Sequence, residues 1–206
     1  MSDLQTPQQF YGERLPEQWN RLLADQERAV AEAQRVLDAM RAVSTTLKIE
    51  VRGPEGGTFF LNVDSGRMSA SDTAAHPLLL TLIQDAAAFE RVVQEAGDSA
   101  LGFLGGISGL AGEMRLTAGR VRNLEGVAGC LEFRVTGESG FGLLTHFGPD
   151  PVPQEPNTRI RVDESAYREL REGRLDPQNA FMTGRIQVEG DMQLAMQLAL
   201  AALSPD

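Results

Sequence analysis

The sequence is poor in the residues that build covalent cross-links and metal centres. Its 206 residues include one cysteine, Cys130, and two histidines. A single cysteine cannot form an intramolecular disulfide, and one thiol with two imidazoles is too few for a histidine- or cysteine-rich metal site. We therefore expect a protein that carries no metal and no cofactor.

Long apolar runs and positive charge are also scarce. No run approaches the roughly 18 consecutive apolar residues of a membrane span, and Met1–Gln5 lacks the basic and apolar parts of a signal peptide. The formal charge of −10 argues against nucleic acid as a partner and against firm docking on anionic membranes, while transient membrane contact stays open. Together these absences predict a cytoplasmic protein.

The side chains that carry chemistry lack the neighbours that catalysis needs. His76, His146 and Cys130 show no partner pattern for a nucleophile and its base, and the acidic residues are scattered among turns, caps and helix faces. We interpret these three residues as structural and expect a protein that is not an enzyme.

Apolar residues make up 42% of the chain, enough for a sizeable core. From Leu15 to Val43 they recur at intervals of three and four, which predicts a long amphipathic helix with Pro16 in its first turn. This helix either covers one face of the core or mediates dimerisation or membrane contact.

After residue 46 one pattern of residues occurs twice. The hairpin positions that carry it are 84 apart: Leu47 and Leu131, Ile49 and Phe133, Val51 and Val135, Gly53 and Gly137. Each hairpin is followed by a strand and a helix capped by Asp85 or Asp163, now 78 positions apart. We predict a helical segment at 1–44, a first repeat at 45–127 and a second at 128–206, in one compact unit.

The two predicted repeats differ in their details. Only the first has a third strand, near Arg67–Ser71. A strand at Met114–Leu116 is expected to match Ile186–Val188 of the second repeat. The first repeat ends in a weak helix at Arg120–Val127, whereas the second ends in the apolar helix Asp191–Leu203.

The last stretch, Asp176–Leu203, has a distinctive order. A helix-starting Asp-Pro is followed by Ala-Phe-Met, a glycine, a short alternating strand, a Gly-Asp turn and an apolar helix. This order resembles the sterol carrier protein-2 family, and Thr158–Gly173 fits the same family. Phe10–Pro16 is similar to the start of its bacterial members.

The resemblance implies an α+β fold, with a long N-terminal helix and two sterol carrier-like repeats of twisted, mostly antiparallel sheet covered by helices. It also implies binding and transfer of fatty acyl, sterol or isoprenoid ligands in an apolar tunnel, with the last helix in its wall. That helix is apolar almost all round and therefore needs partners on more than one side.

Eight residues are candidates for contact with such a ligand. Five lie in the last two predicted helices: Phe181, Met182, Met192, Met196 and Leu200. Three lie in the glycine-rich loop Gly102–Gly112, which we interpret as a portal flap or an interface: Phe103, Leu104 and Ile107. Core packing without a ligand is the alternative for both groups.

A different class of function also fits the sequence. The two repeats would fill each other's cavities, and the protein would serve as a structural or protein-interaction module. The long helix would then recruit a second copy or an enzyme, and an accessory factor to a lipid-modifying enzyme lies between the two classes.

Overall fold

The computed structural model describes residues 6–96, 115–138 and 140–203. The chain divides into two compact units, Met1–Ala39 and Met40–Asp206. Three helical segments follow one another from the N-terminus: α1 (Pro7–Gln9), a π-helical turn (Phe10–Arg14) and α2 (Leu15–Arg41). The long N-terminal helix predicted from the apolar periodicity is therefore confirmed, and it ends at Arg41.

The second unit is built on an eight-stranded mixed sheet. Its strands are β1 (Thr45–Arg52), β2 (Gly57–Asp64), β3 (Arg67–Ser71), β4 (Leu78–Asp85), β5 (Gly129–Thr136), β6 (Phe141–Phe147), β7 (Thr158–Asp163) and β8 (Ile186–Gly190). They are ordered β3-β2-β1-β4-β6-β5-β7-β8. The pairs β1–β4 and β5–β7 are parallel, and the other neighbouring strands are antiparallel. The α+β class and its mostly antiparallel sheet are thus as expected.

The two β-hairpins pair in equivalent registers. Leu47 lies opposite Leu61 in β1–β2, and Leu131 lies opposite Thr145 in β5–β6, with both residues shifted by 84. The turns also correspond, because Gly53 (φ +128°) and Gly137 (φ +146°) each follow the first strand with positive φ. These equivalences agree with the internal duplication, which stays a prediction.

Five helices accompany the sheet in the described residues: α3 (Ala86–Ala96), α4 (Ala118–Glu125), α5 (Glu164–Arg171), α6 (Pro177–Met182) and α7 (Met192–Leu203). Alternate residues of each strand face these helices, since successive side chains of a strand point to opposite faces. Leu47, Leu82, Leu131, Phe133 and Val162 are buried on this face and form the centre of the core.

The opposite face of the sheet is charged on the second half. Glu132, Arg134, Arg159 and Arg161 alternate with the core residues, and Arg161 Nη1 donates a hydrogen bond to Glu189 at 2.7 Å. Arg159 and Arg161 therefore lie on the face that points away from the helices, as their alternation with Ile160 and Val162 predicts.

The strand differences between the halves are partly as expected. β3 occupies Arg67–Ser71, and the segment between β6 and β7 contains no strand. The prediction of a strand at Met114–Leu116 is wrong for its described residues. Residues 115–117 do not form a strand, and Leu116 is buried in the core just before α4. Met114 lies outside the described residues. Thr117 caps α4 by accepting from Arg120 N, so this segment starts a helix instead.

Candidate functional site

Helix α7 starts at a tightly held corner. Asp191 N donates to Asn157 O at 2.9 Å, and the Asp191 carboxylate accepts from Leu194 N at 3.1 Å, as an N-cap residue does. Gly190 has a φ of +88°, and a Cβ there would lie 2.2 Å from Asn157 O. The Gly190-Asp191 pair therefore fixes how the helix leaves β8.

The two faces of α7 have opposite environments although both are apolar. Leu194, Leu198 and Ala201 are 3–5% exposed and belong to the core. Met192, Met196 and Leu200, spaced four residues apart on another face, are 45%, 60% and 63% exposed. This outer stripe is exposed apolar surface, and covering it with a partner would lower the free energy of the system.

Helix α6 adds two exposed apolar side chains. Asp176 caps it by accepting from Asn179 N at 2.9 Å, Pro177 opens it, and Ala180 is fully buried. Phe181 and Met182, at the other end, are 49% and 78% exposed.

The predicted ligand-contact residues are thus exposed side chains of α6 and α7. Both helices contact the edge strand β8, whose five residues span about 17 Å. We call Phe181, Met182, Met192, Met196 and Leu200 the C-terminal apolar surface. The other three candidates, Phe103, Leu104 and Ile107, lie outside the described residues.

Ion pairs hold the link between α6 and β8 against α5. Arg185 donates to both carboxylate oxygens of Glu169, at 2.7 and 3.2 Å, and to Ser165 Oγ at 3.1 Å. The Arg185 hydrogen bond holds the pKa of Glu169 below its ordinary value. Ser165 chiefly lowers the pKa of Asp163, whose carboxylate also caps α5 through Ala166 N at 2.8 Å. These bonds therefore hold in place the segment that joins α6 to β8, next to the C-terminal apolar surface.

A cleft of about 690 Å³ lies elsewhere, at the middle of the sheet. Only Leu80–Ile83 of β4 pair with β6, where their partners are Leu144–Phe147. However, β4 continues to Asp85, and β6 begins at Phe141. The two strands therefore separate, and the ends of β4 and β6 line the cleft together with β5 and the segment before β7.

The cleft combines apolar walls with polar residues. Its apolar wall includes Ile83, Ala88, Phe141, Leu143, Leu144 and Pro156. Phe141 is held in a cluster of rings, with its centroid 5.6 Å from that of Tyr167 and 6.5 Å from that of Phe133. The sequence interpretation did not single out these residues, because the cleft depends on how two distant strands meet.

Comparison with known proteins tests the resemblance drawn from the sequence. A protein-family model described as "SCP-2 sterol transfer family" aligns with the part of the chain that runs from just before α4 into α7. Residues 115–202 match the SCP-2 sterol transfer family. The match confirms the resemblance of the C-terminal stretch and covers the whole C-terminal apolar surface. A search of curated proteins finds no match to this chain.

Solved structures of sterol carrier proteins also align with the chain. The sterol carrier protein 2 like 2 of Aedes aegypti is 21% identical over 35% of this chain and 72% of its own, with a TM-score of 0.29. The sterol carrier protein domain 2 of Helicoverpa armigera is 23% identical over 41% of this chain and 76% of its own, with a TM-score of 0.29. Sterol carrier protein 2 of Yarrowia lipolytica is 18% identical over 34% of this chain and 67% of its own, with a TM-score of 0.27.

Cys130 and His146 face each other within the SCP-2 segment, in the β5–β6 register. Such a pair could suggest an activated nucleophile, but the thiol is fully buried. Burial, with a smaller contribution from Glu132, raises the pKa of Cys130 from 9.0 to about 11, so the thiolate is rare at neutral pH. The Nε2 of His146 lies 2.8 Å from Asp150 O and its Nδ1 is buried, an arrangement that fixes a loop and does not activate a thiol.

Within residues 6–96, 115–138 and 140–203, no group of three or more histidine, cysteine, aspartate or glutamate residues could hold a metal ion. No helix in those same ranges combines the length and the hydropathy that crossing a bilayer requires.

Proposed function

We propose that this protein binds hydrophobic, lipid-like molecules without chemical turnover and passes them between acceptors. The observation that carries the proposal is the outer stripe of α7, where Met192, Met196 and Leu200 are 45–63% exposed inside the segment that matches the SCP-2 family. Methionine side chains adapt to apolar surfaces of different shape, which suits ligands such as fatty acyl chains, sterols and isoprenoids.

The energy available from this surface fits a carrier. Fully burying one such side chain contributes about 1.5–3 kcal/mol, and each of these residues has roughly half of that still to gain. A ligand that covers Phe181, Met182, Met192, Met196 and Leu200 therefore gains several kcal/mol from apolar contact alone. Contact of this kind discriminates weakly between ligands and needs no polar anchor. In this proposal Phe103, Leu104 and Ile107 complete the ligand contact.

The experiment has two stages. Lipids extracted from the purified full chain are identified by mass spectrometry, and the delipidated protein is titrated with the fluorescent fatty acid cis-parinaric acid. We expect co-purified lipid and saturable binding. The proposal fails if no lipid co-purifies and no binding is seen up to high micromolar concentration.

A matched pair of variants locates the binding. Met196→Gln keeps the side-chain length but adds a polar amide, and we expect it to weaken binding about five-fold, or about 1 kcal/mol. Met68→Gln makes the same change at a methionine of β3 that is 45% exposed, and we expect affinity to be unchanged. Equal losses in both variants would remove the C-terminal apolar surface from the proposal.

A second candidate function rests on α2. Trp19, Leu22, Leu23 and Val30 are 51–69% exposed in this helix, which is the kind of surface that a protein partner covers. The protein would then be an interaction module. Sedimentation of the full chain and of Trp19→Ala tests this: self-association that the variant abolishes, without lipid binding, favours this candidate over the carrier.

A further inference from the structure

A second cavity is lined by residues of α3 and α5, the helices that follow β4 and β7. Its volume of about 330 Å³ is at the lower end of the roughly 300–1,000 Å³ that small-molecule pockets occupy. Six of the described residues line it: Arg91, Glu164, Tyr167, Arg168, Arg171 and Glu172. None of these six is aliphatic or belongs to the C-terminal apolar surface, so the cavity is separate from the site proposed above.

The charge of this cavity is opposite to that of the chain. Three arginines and two glutamates stand among its six described residues, which gives a net charge of +1, whereas the whole chain carries −10. A concave site of one sign concentrates ligands of the other sign, even when the rest of the surface repels them. The cavity therefore favours an anionic ligand.

One glutamate holds two guanidinium groups close together. Oε1 of Glu164 lies 4.0 Å from Arg91 Nη2 and 3.9 Å from Arg168 Nη2, so these two nitrogens are within roughly 8 Å of each other. Both distances exceed the length of an N–H···O hydrogen bond, about 2.7–3.2 Å. A guanidinium has five N–H donors, more than a shared carboxylate can use. An oxyanion that lies between the two groups accepts from both.

The other charged groups of the cavity are positioned by the fold. Cζ of Arg171 lies 6.0 Å from the centroid of the Tyr167 ring, which is buried and packs against Phe141 with 5.6 Å between centroids. A cation above an aromatic ring is attracted to its face. A Cβ at Gly137 would lie 2.8 Å from Glu164 Oε2, so the carboxylate lies against the turn between β5 and β6.

The number and placement of the arginines favour one kind of anion. Three guanidinium groups on two helices reach an anion from several directions, which suits a tetrahedral group with three or four oxygens better than a planar carboxylate with two. The cavity also has roughly ten times the volume that one water molecule takes in the liquid, so it has room for an organic body beside the oxyanion.

We propose that this cavity binds the phosphate group of a phosphomonoester. Arg91, Arg168 and Arg171 donate hydrogen bonds to the phosphate oxygens, and the ester group extends toward solvent. Arg91 belongs to the first half of the sheet unit and the other two arginines to the second, so the site requires both halves.

Two anions without alkyl chains test the chemistry. The full chain, labelled with ¹⁵N, is titrated with glycerol 3-phosphate and with acetate at constant ionic strength, because salt screens exposed charges. We expect saturable shifts in the amide resonances of Arg91, Gly137 and Arg168, and at least about ten-fold tighter binding of glycerol 3-phosphate than of acetate. Equal affinity for the two anions, or shifts that do not saturate, would overturn the proposal. This result is independent of the fatty-acid titration at the C-terminal apolar surface.

A matched pair of variants separates a site from general electrostatics. Arg168→Gln removes one guanidinium whose side chain is 65% exposed, and we expect about ten-fold weaker binding of glycerol 3-phosphate. Arg28→Gln makes the same change at an exposed arginine of α2 that also pairs with an acidic residue of its own helix, and it should leave the affinity unchanged. Both variants lose one positive charge, so equal affinities in the two would refute the assignment.

Glu164→Gln should change the affinity in the opposite direction. In the proposed complex this carboxylate lies beside the phosphate, and removing a like charge should strengthen binding of glycerol 3-phosphate about five-fold. An unchanged or lower affinity in this variant would contradict a phosphate between Arg91 and Arg168.

The phosphate group can belong to a soluble ester or to a lipid headgroup. Co-sedimentation with phosphatidylcholine vesicles that contain phosphatidic acid, with and without glycerol 3-phosphate, distinguishes the two sources. Vesicle binding that glycerol 3-phosphate and Arg168→Gln both abolish identifies a headgroup as the ligand. Saturable binding of glycerol 3-phosphate without vesicle binding identifies a soluble ester, and the absence of both refutes the proposal.

Discussion

Replacing Gln84 with methionine should stabilise the ligand-free protein. An acceptor that is buried without a partner costs about 1–3 kcal/mol, because it loses its hydrogen bonds to water and gains none in return. Methionine has a similar length and no amide, and it packs as an apolar side chain beside Leu82. We expect the free energy of unfolding to rise by about 1–2 kcal/mol, which corresponds to about 3–6 °C in Tm for a chain of this size.

The measurement is urea denaturation followed by circular dichroism, on delipidated protein, beside Gln94→Met. The control position is exposed, so its free energy of unfolding should change by no more than about 0.5 kcal/mol. If Gln84→Met lowers the free energy of unfolding by about 1 kcal/mol or more while Gln94→Met is neutral, Gln84 supports the fold and the reasoning is refuted.

The sign of this effect separates a binding residue from a structural one. A residue whose amide holds the core together loses both stability and binding when it is replaced. A residue kept for a ligand would lose binding and gain stability when replaced, because the Gln84 amide oxygen finds no hydrogen-bond donor among residues 6–96, 115–138 and 140–203.

Two further predictions concern Cys130 and Gly190. Because folding raises the pKa of Cys130 to about 11, the contribution of this thiol to stability is complete below pH 9 and is lost as the pH rises toward 11. At pH 8 we expect iodoacetamide to label the folded protein at least about 100-fold more slowly than the unfolded chain. A ratio of labelling rates below ten, measured by mass spectrometry, would contradict this. Gly190→Ala should lower the free energy of unfolding by about 3 kcal/mol or more, because the new Cβ would clash with Asn157 O. The control Gly173→Ala, at φ +67° with no atom within 4 Å of the new Cβ, should lower it by only about 1 kcal/mol. Equal losses in the two variants would show that the structure relieves the clash.

Features that depend on neighbouring residues were predictable from the sequence. Asp163, Asp176 and Asp191 each accept a backbone N–H from the first turn of the following helix, as their positions before apolar segments indicate. The hairpins β1–β2 and β5–β6 follow from alternation and turn residues for the same reason. Here the information is contained in a few consecutive side chains.

The exposure of α7 was not predictable in this way. An almost fully apolar helix predicts burial on several sides, yet Met196 and Leu200 are 60% and 63% exposed. The periodicity of a sequence shows how many faces are apolar. Which face of α7 meets the sheet depends on the corner at Gly190-Asp191 and on packing against α4 and β7. Both α4 and β7 are distant from α7 in the sequence.

The cleft depends on a contact that no local signal specifies. Gln84, a polar residue in line with the buried core residues Leu80 and Leu82, shows that its own position is unusual but not which strand lies beside it. A polar residue in such a position is a candidate for a functional site, because it costs stability unless something pairs with it.

The position of the cleft also follows from the arrangement of the two halves. Within each half the pairings are matched, with β1 between β2 and β4 and β5 between β6 and β7. Among the described strands, the β4–β6 pairing has no counterpart inside either half, because it joins the last described strand of the first half to the hairpin of the second. It extends over only four residue pairs. If the predicted duplication is correct, each half inherited its internal pairings, whereas the junction between the halves arose afterwards and has no inherited register. A site at that junction, unlike one at the C-terminal apolar surface, would require residues of both halves.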